Sequence, residues 1–424
     1  MLKTSDAAPP SAGRILAASL VGTAVEFYDF YIYATAASLV FGPMFFPTKD
    51  PAVQQLSALA TLGVAFIARP LGAAVFGHFG DRVGRKSTLV ASLLLMGGST
   101  VAIAFLPSYA QAGWLAPVLL CILRFGQGFG LGGEWGGAAL LAVENAPPGW
   151  RGRFGMFPQL GAPVGFVFAN GLFLLLSLAL TPDQFRAWGW RLPFLASSLL
   201  VAVGLWVRLK LTETPAFAAA MAVAAPSHVP LAEVFKRYPL QVAGGTFAAV
   251  ICFTLFYLTT SFALAYGVTT LGYSRNAFLE TELGAIVFMA LGILLAGWWS
   301  DRARPRTVLI AGSLLAIGCG LLMAPMMQHG SLLMVWVFLS LALLVMGLVY
   351  GPLGAFLPHL FPARVRYTGA SAAFNLGGVI GGGFTPSIAL ALAKQGGLAP
   401  VGLCLSAAAL ISLLALLPLK RDHA

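Results

Sequence analysis

Residues 77–86 read GHFGDRVGRK, and residues 297–306 read GWWSDRARPR, 220 positions later. Each follows one apolar run long enough to cross a bilayer and precedes another. The first copy suits a short hinge between two helices. Gly77 and Gly80 let helix ends approach closely, and Gly84 allows a sharp turn. Asp81 can face the positive N-terminus of a neighbouring helix, while Arg82, Arg85 and Lys86 anchor the loop on one side of a membrane. Asp301 and Arg302 occupy the matching places in the second copy. A loop that recurs at a long fixed offset marks an internal duplication.

The rest of the chain agrees with a membrane setting. Of 424 residues, 59% are hydrophobic and only 9% are charged, against roughly 25% charged in soluble domains. Apolar stretches of about 20 residues, enough to span a bilayer, fall near 15–41, 54–78, 87–106, 114–143, 154–180, 191–211, 239–267, 277–299, 306–326, 331–358, 367–393 and 398–419. The net charge of +11 is scattered one to three residues at a time, with no basic cluster interleaved with aromatics. That pattern excludes nucleic-acid binding and fits positive charge holding loops on the cytoplasmic side. With twelve spans, eighteen Lys and Arg lie on the side of the N-terminus and five on the other, so both termini are expected in the cytoplasm.

The longest connection, 212–238, divides the chain into a tail (1–14), a six-helix half (15–211), a second half (239–419) and a short tail (420–424). The halves echo each other again where Gln159-Leu160-Gly161 returns as Asn375-Leu376-Gly377, 216 positions on. Two six-helix halves related by a parallel repeat describe an all-α polytopic membrane protein of the major facilitator type.

Further segments narrow the likeness. GHFGDRVGRK resembles the loop signature of the major facilitator superfamily. RFGQGFGLGGEWGGAALLAVENAPPGWRG (124–152), VEFYDF (25–30), ARPLG (68–72), TETPAF (212–217) and LFPARVRYTGAS (360–371) together resemble its metabolite:proton symporters. Relatives of that kind move shikimate, 2-oxoglutarate, citrate, proline and betaines, and none of these motifs selects among them. The spacing from Arg124 to Glu144 to Arg151 also resembles the sugar porters. There a span-one aspartate near the span-four arginine is implicated in proton coupling, and Asp29 is the natural match.

The same residues stand out on physical grounds. Glu26 and Asp29 are three apart on span one and share a helix face. Counting 1.5 Å per residue places them and Arg124 at similar depths near the middle of a core about 30 Å thick. Charges there cost at least about 2.5–3.5 kcal/mol, so they face a cavity and pair. One acid would suffice to clip span one to span four. Two acids to one base leave an excess carboxylate able to take up and release a proton, which symport requires; Asp29 is the favoured carrier and Glu26 the alternative. Arg124, released when its partner is neutralised, can hold a substrate carboxylate. Arg69 is expected close to the cytoplasmic end, in a structural or gating role, so a substrate with one carboxylate, or a zwitterion, is favoured.

The remaining candidates follow from depth and face. Glu134, about 15 Å nearer the cytoplasm than Arg124, is an inner relay or a tie to a neighbouring helix. Gln127 shares a face with Arg124, Gln159 shares one with Asn170, and Tyr33 lies on the side of the acids. Tyr257, Tyr350 and Asn375 are inward-facing candidates in the second half. Each is a substrate ligand or a helix contact. Glu144, beside Arg151, Arg153 and the loop-motif arginines, is expected in a cytoplasmic ion-pair network that breaks on opening. Glu280 and Glu282 fall near the outer mouth, and GGVIGGG (377–383) is a bending segment.

The four cysteines and five histidines show no metal spacing, and no nucleophile elbow or phosphate loop is present. The expectation is therefore not an enzyme but a monomeric, proton-coupled importer of a small organic acid or zwitterion in the inner membrane. It needs no cofactor beyond the proton. A drug exporter of the same fold is the alternative, and a polytopic membrane enzyme a more remote one.

Overall fold

The computed structural model describes residues 12–83, 85–132, 134–210, 230–328, 330–362 and 365–419. The side chains of Asp81, Arg82 and Arg85, all of Gly84, and the TETPAF segment lie outside this description. Among the described residues the chain forms twelve long helical segments.

In the first half these are α1 (Ala12–Ala36, carried on by a π-turn Ala37–Phe41 and Gly42–Phe45), α2 (Pro51–Val83), α3 (Arg85–Ile103), α4 (Leu115–Leu131 and Glu134–Glu144), α5 (Arg151–Ala179) and α6 (Leu192–Lys210). The second half opens with a short amphipathic helix, Pro230–Arg237. Then come α7 (Pro239–Tyr257, π-turn Leu258–Phe262, Ala263–Thr269), α8 (Arg275–Arg302) and α9 (Pro305–Met327). The last are α10 (Leu332–Tyr350 and Leu353–His359), α11 (Arg366–Gly378, π-turn Val379–Gly383, Thr385–Gly396) and α12 (Leu398–Leu416). Ten described helices are long and apolar enough to cross a membrane. The boundaries fall within a few residues of the apolar runs, because burial of the backbone in lipid leaves the helix as the available solution.

Helix pairing repeats between the halves. α1 packs on α5, α2 on α4 and α3 on α6; correspondingly α7 packs on α11, α8 on α10 and α9 on α12. The two halves meet through α5 against α8 and α2 against α11, again an exchange of equivalent helices. Glycines set the closest approaches. A Cβ on Gly128 would lie 2.2 Å from the carbonyl oxygen of Ala65, and one on Gly347, its counterpart in α10, 2.4 Å from that of Met289. Small residues at these crossings bring backbones together without a hydrophobic drive from water.

The irregularities repeat as well. The π-turns of α1 and α7 begin 221 residues apart, at Ala37 and Leu258. A π-turn leaves carbonyls without their usual partner. Gln55 of α2 donates to the carbonyls of Ala37 and Ser38, each at 3.1 Å. Ser38 Oγ then donates to the carbonyl of Ser261 in the other half at 3.1 Å. The expected bend at GGVIGGG is the third π-turn, Val379–Gly383.

Candidate functional site

Contacts bridge the halves at both faces. At the loop-motif face Asp301, at the end of α8, accepts from the Gly152 backbone N–H at 2.6 Å and from Arg153 Nε at 2.7 Å. The carboxylate thereby caps the N-terminus of α5, the use expected of its sequence counterpart Asp81. Arg151 meets His359 at 3.1 Å, and Glu144 lies 4.0 Å from Arg366. The network is thus real but differently wired. Arg153 is among the expected members, whereas His359 and Arg366 are not; Glu144 pairs across to α11, and Arg302 stacks on Trp298 at 3.9 Å. At the opposite face Lys394 donates to Asp50 at 2.8 Å, and Ser177 donates to Asn276 at 2.5 Å. The Lys394 ammonium holds the Asp50 carboxyl below the usual aspartate range.

Just inside the loop-motif face, the broken helices are latched across the halves. α4 is interrupted after Leu131 and α10 after Tyr350, freeing carbonyls at Gly132 and Tyr350. Asn375 Nδ2 of α11 donates to Gly132 at 3.0 Å, and Gln159 Nε2 of α5 donates to Tyr350 at 2.9 Å. Trp135 Nε1 donates to Gln159 Oε1 at 3.0 Å, and the Trp135 indole stacks on Phe374 at 3.7 Å. Gln159 and Asn375, noticed in the sequence as a repeated triplet, therefore make equivalent contacts from opposite halves. The structure gives both a bridging role between helices. Glu134 accepts from Ser92 Oγ of α3 at 2.8 Å, the helix tie weighed from the sequence.

At the centre, Arg124 is fully buried, its guanidinium 4.0 Å from the Tyr33 ring centroid and 4.2 Å from that of Phe30. Tyr33 is held by a 2.7 Å bond to Thr61. The expected direct pairing of Arg124 with Asp29 is not the arrangement found. Arg124 Nη1 donates to Gln127 Oε1 at 3.0 Å, and Gln127 Nε2 donates to Thr100 Oγ1 at 2.8 Å. Thr100 in turn donates to Asp29 Oδ2 at 3.2 Å, and Ser197 donates to Asp29 Oδ1 at 2.5 Å. Asp29 thus faces α3 and α6, and a chain of two neutral side chains joins it to the arginine. Glu26, about 60° round the helix, is buried elsewhere, within electrostatic reach of Arg69 and Tyr350.

Arg69 requires a second correction. α2 continues through GHFGDRV to Val83, so Arg69 lies about 21 Å from that end. Its guanidinium stands over Phe66 at 5.4 Å and over Phe30 at 5.9 Å. Phe30 therefore carries an arginine from α2 and one from α4. Tyr257 packs against both Phe30 and Phe66. Arg69 Nε and Arg124 Nε and Nη2 are buried donors without a hydrogen-bond partner. Buried donors of this kind form an anion-binding environment. Asn170 is one layer away, its Oδ1 accepting from Thr35 at 2.5 Å. Glu280 is exposed, whereas Glu282 is buried. Among the described residues no group of His, Cys, Asp and Glu could hold a metal.

Thr100, Ser197 and Ser92 escaped the sequence reading. Hydroxyls in apolar helices commonly bond their own backbone, so their presence alone does not mark them.

The sequence model of the Major Facilitator Superfamily matches residues 19–386. The chain is 49% identical over 412 residues to the inner membrane metabolite transport protein YhjE of Escherichia coli, covering 96% of this chain and 94% of that protein. It is 38% identical to the shikimate transporter of Escherichia coli, over 96% and 94% of the two chains. The xylose transporter XylE from E. coli superposes with a TM-score of 0.73 at 16% identity, covering 97% of this chain and 98% of that one; at that identity the likeness concerns the fold. The chain belongs to the Major Facilitator Superfamily and is a multi-pass membrane transporter, not an enzyme.

Proposed function

We propose that this transporter imports a small organic acid or zwitterion together with a proton, and that Asp29 carries the proton. The supporting observation is the chain from Asp29 through Thr100 and Gln127 to Arg124. Thr100 has one hydroxyl hydrogen and two acceptors in reach, Asp29 and the carbonyl of Met96 at 2.9 Å. An ionised Asp29 attracts that hydrogen; a protonated one releases it to Met96. Protonation also adds one positive charge to a cluster already holding Arg69, Arg124 and Glu26. In a dry core that change strongly favours an incoming carboxylate, so proton and anion bind together. Free-energy coupling of this kind is reciprocal: substrate raises proton affinity as the proton raises substrate affinity.

Substrate contacts are assigned to Arg124 and Arg69, with Tyr33, Gln127 and Tyr257 shaping the site. Gln159, Asn375 and Tyr350 close it from below. The loop-motif face is read as cytoplasmic, both termini with it, in keeping with the distribution of Lys and Arg. The halves 15–211 and 239–419 rock about the central site, in a monomer, as the repeated pairing would allow. The relative that carries shikimate supports an organic acid as one substrate class. The test is uptake of labelled shikimate, 2-oxoglutarate and glycine betaine into proteoliposomes, with an outside-acid gradient and after its collapse by a protonophore. Gradient-dependent accumulation of one of them is expected; uptake indifferent to the gradient would overturn the reading.

A further inference from the structure

A second buried acid lies between the halves, away from the Asp29 chain. Glu282 of α8 is 1% exposed, and neither carboxylate oxygen has a hydrogen-bond partner. It lines a small cavity together with Tyr31 and Thr35 of α1, Phe166 and Asn170 of α5, and Phe256 of α7. No lysine or arginine lines that cavity. The three rings form a closed cluster, with Tyr31–Phe166, Tyr31–Phe256 and Phe166–Phe256 centroids 5.5, 5.0 and 6.1 Å apart. Asn170 Nδ2 is a further buried group without a partner.

An ionised carboxylate in such a place, with no counter-charge, is strongly disfavoured unless a ligand supplies one. The group that offsets a buried carboxylate and also favours aromatic faces is a positively charged nitrogen, above all an alkylated ammonium. We propose that this cavity, only about 10 Å³ in the present arrangement and enlarged when substrate enters, is the cation subsite of the transporter. It takes the ammonium group of a zwitterionic substrate whose carboxylate is held at Arg69 and Arg124. The two subsites are contiguous. Phe30, the ring beneath both arginines, meets Tyr257 at 6.4 Å, and Tyr257 meets Phe256 of the cavity at 5.3 Å. From Phe30 to Thr35 the rise along α1 is about 7 Å, the reach of a short zwitterion with a few methylene groups between its charges. The asymmetry is chemically economical: the first half supplies the positive groups and α8 of the second half the negative one, so a bound zwitterion draws the halves together.

This inference rests on the proposed uptake of carboxylates and deepens it. The experiment uses purified full-length protein in lipid nanodiscs. Glycine betaine and γ-butyrobetaine are each titrated against the carbon isostere in which a tert-butyl group replaces trimethylammonium. Each pair differs only in the positive charge. The unmodified protein is expected to prefer at least one betaine over its isostere by about tenfold or more. Glu282→Gln should bring that ratio near unity while the isostere still binds, and Glu282→Asp should retain part of it. Equal binding within both pairs, or discrimination that survives Glu282→Gln, overturns the proposal; equal binding in the unmodified protein overturns it even if Glu282→Gln does not fold, and Glu282→Asp then tests the assignment to this carboxylate. Shikimate, an acid without nitrogen, separates the two levels. Binding and proton-driven uptake of shikimate with neither betaine bound would overturn the cation subsite and leave the carboxylate reading intact. No gradient-driven uptake of any of them would remove both.

Discussion

Replacing Asn375 or Gln159 by Leu should open the loop-motif face. In the closed arrangement Asn375 supplies the donor for the Gly132 carbonyl, and Gln159 the donor for Tyr350, both in the dry seam beside the Trp135–Phe374 stack. An apolar side chain of similar size leaves each carbonyl unpaired only while the seam is shut, because opening admits water. The cost of a buried unsatisfied group is about 1–3 kcal/mol, and it falls on the closed state alone. The population open at that face should therefore rise about 5- to 150-fold for each variant, and the double variant should depart from additivity, since the Trp135–Phe374 stack touches both contacts. The assay is the rate at which a cysteine at Leu140, which lines the wedge between α4 and α10, reacts with an impermeant maleimide applied from that side. The four native cysteines are first replaced. Labelling that is unchanged or slower in a folded variant would refute the latch.

Asp301→Asn removes the partner of Arg153 and weakens the cap on α5, and should speed the same labelling by a factor equivalent to about 1–2 kcal/mol. A bulky residue at a close glycine contact should act on stability instead. Gly128→Val drives a side chain into the carbonyl of Ala65 and should abolish well-folded expression in a thermal-stability screen, whereas Gly98→Ala, with open space around it, should leave the melting temperature unchanged. The Asp50–Lys394 pair predicts a negative result in pH dependence. Its carboxyl titrates below the ordinary aspartate value of about 3.9. The pairing is therefore fully present above that value and lost only as pH falls through the lowered one. Asp50→Asn should loosen the opposite face without altering the shape of the transport–pH profile between about pH 5 and 8.

The twelve helices and the duplication were legible because lipid permits few backbone solutions and because a loop motif and an amide triplet recur at nearly one offset. Asp29, Arg124 and Gln127 were legible too, as charged or amide groups at mid-depth in apolar runs. Their connectivity was not. Whether Asp29 turns to Arg124 or to α3 depends on how α1 is rotated about its axis, and the residues that capture it, Thr100 and Ser197, look like ordinary helix hydroxyls. Arg69 was misplaced because the apolar run ends before α2 does: the helix continues through GHFGDRV to Val83. Glu282 was assigned to the outer mouth from its position in the run, since depth alone says nothing about which helices close over it. The latch role of Gln159 and Asn375 needed the breaks in α4 and α10, which the sequence announces only as glycines and one proline.

The central claim is that Asp29 ties proton movement to substrate movement, and Asp29→Asn in proteoliposomes addresses it most directly. The carboxamide fixes the site near its protonated charge; its oxygen accepts from one of Thr100 and Ser197, and its N–H donates to the hydroxyl of the other. The variant should still exchange labelled for unlabelled substrate across the membrane at a rate within about tenfold of the unmodified protein, since binding and rocking remain. It should fail to accumulate substrate above the outside concentration under an outside-acid gradient. Accumulation that persists in Asp29→Asn, accompanied by proton entry, would contradict the account.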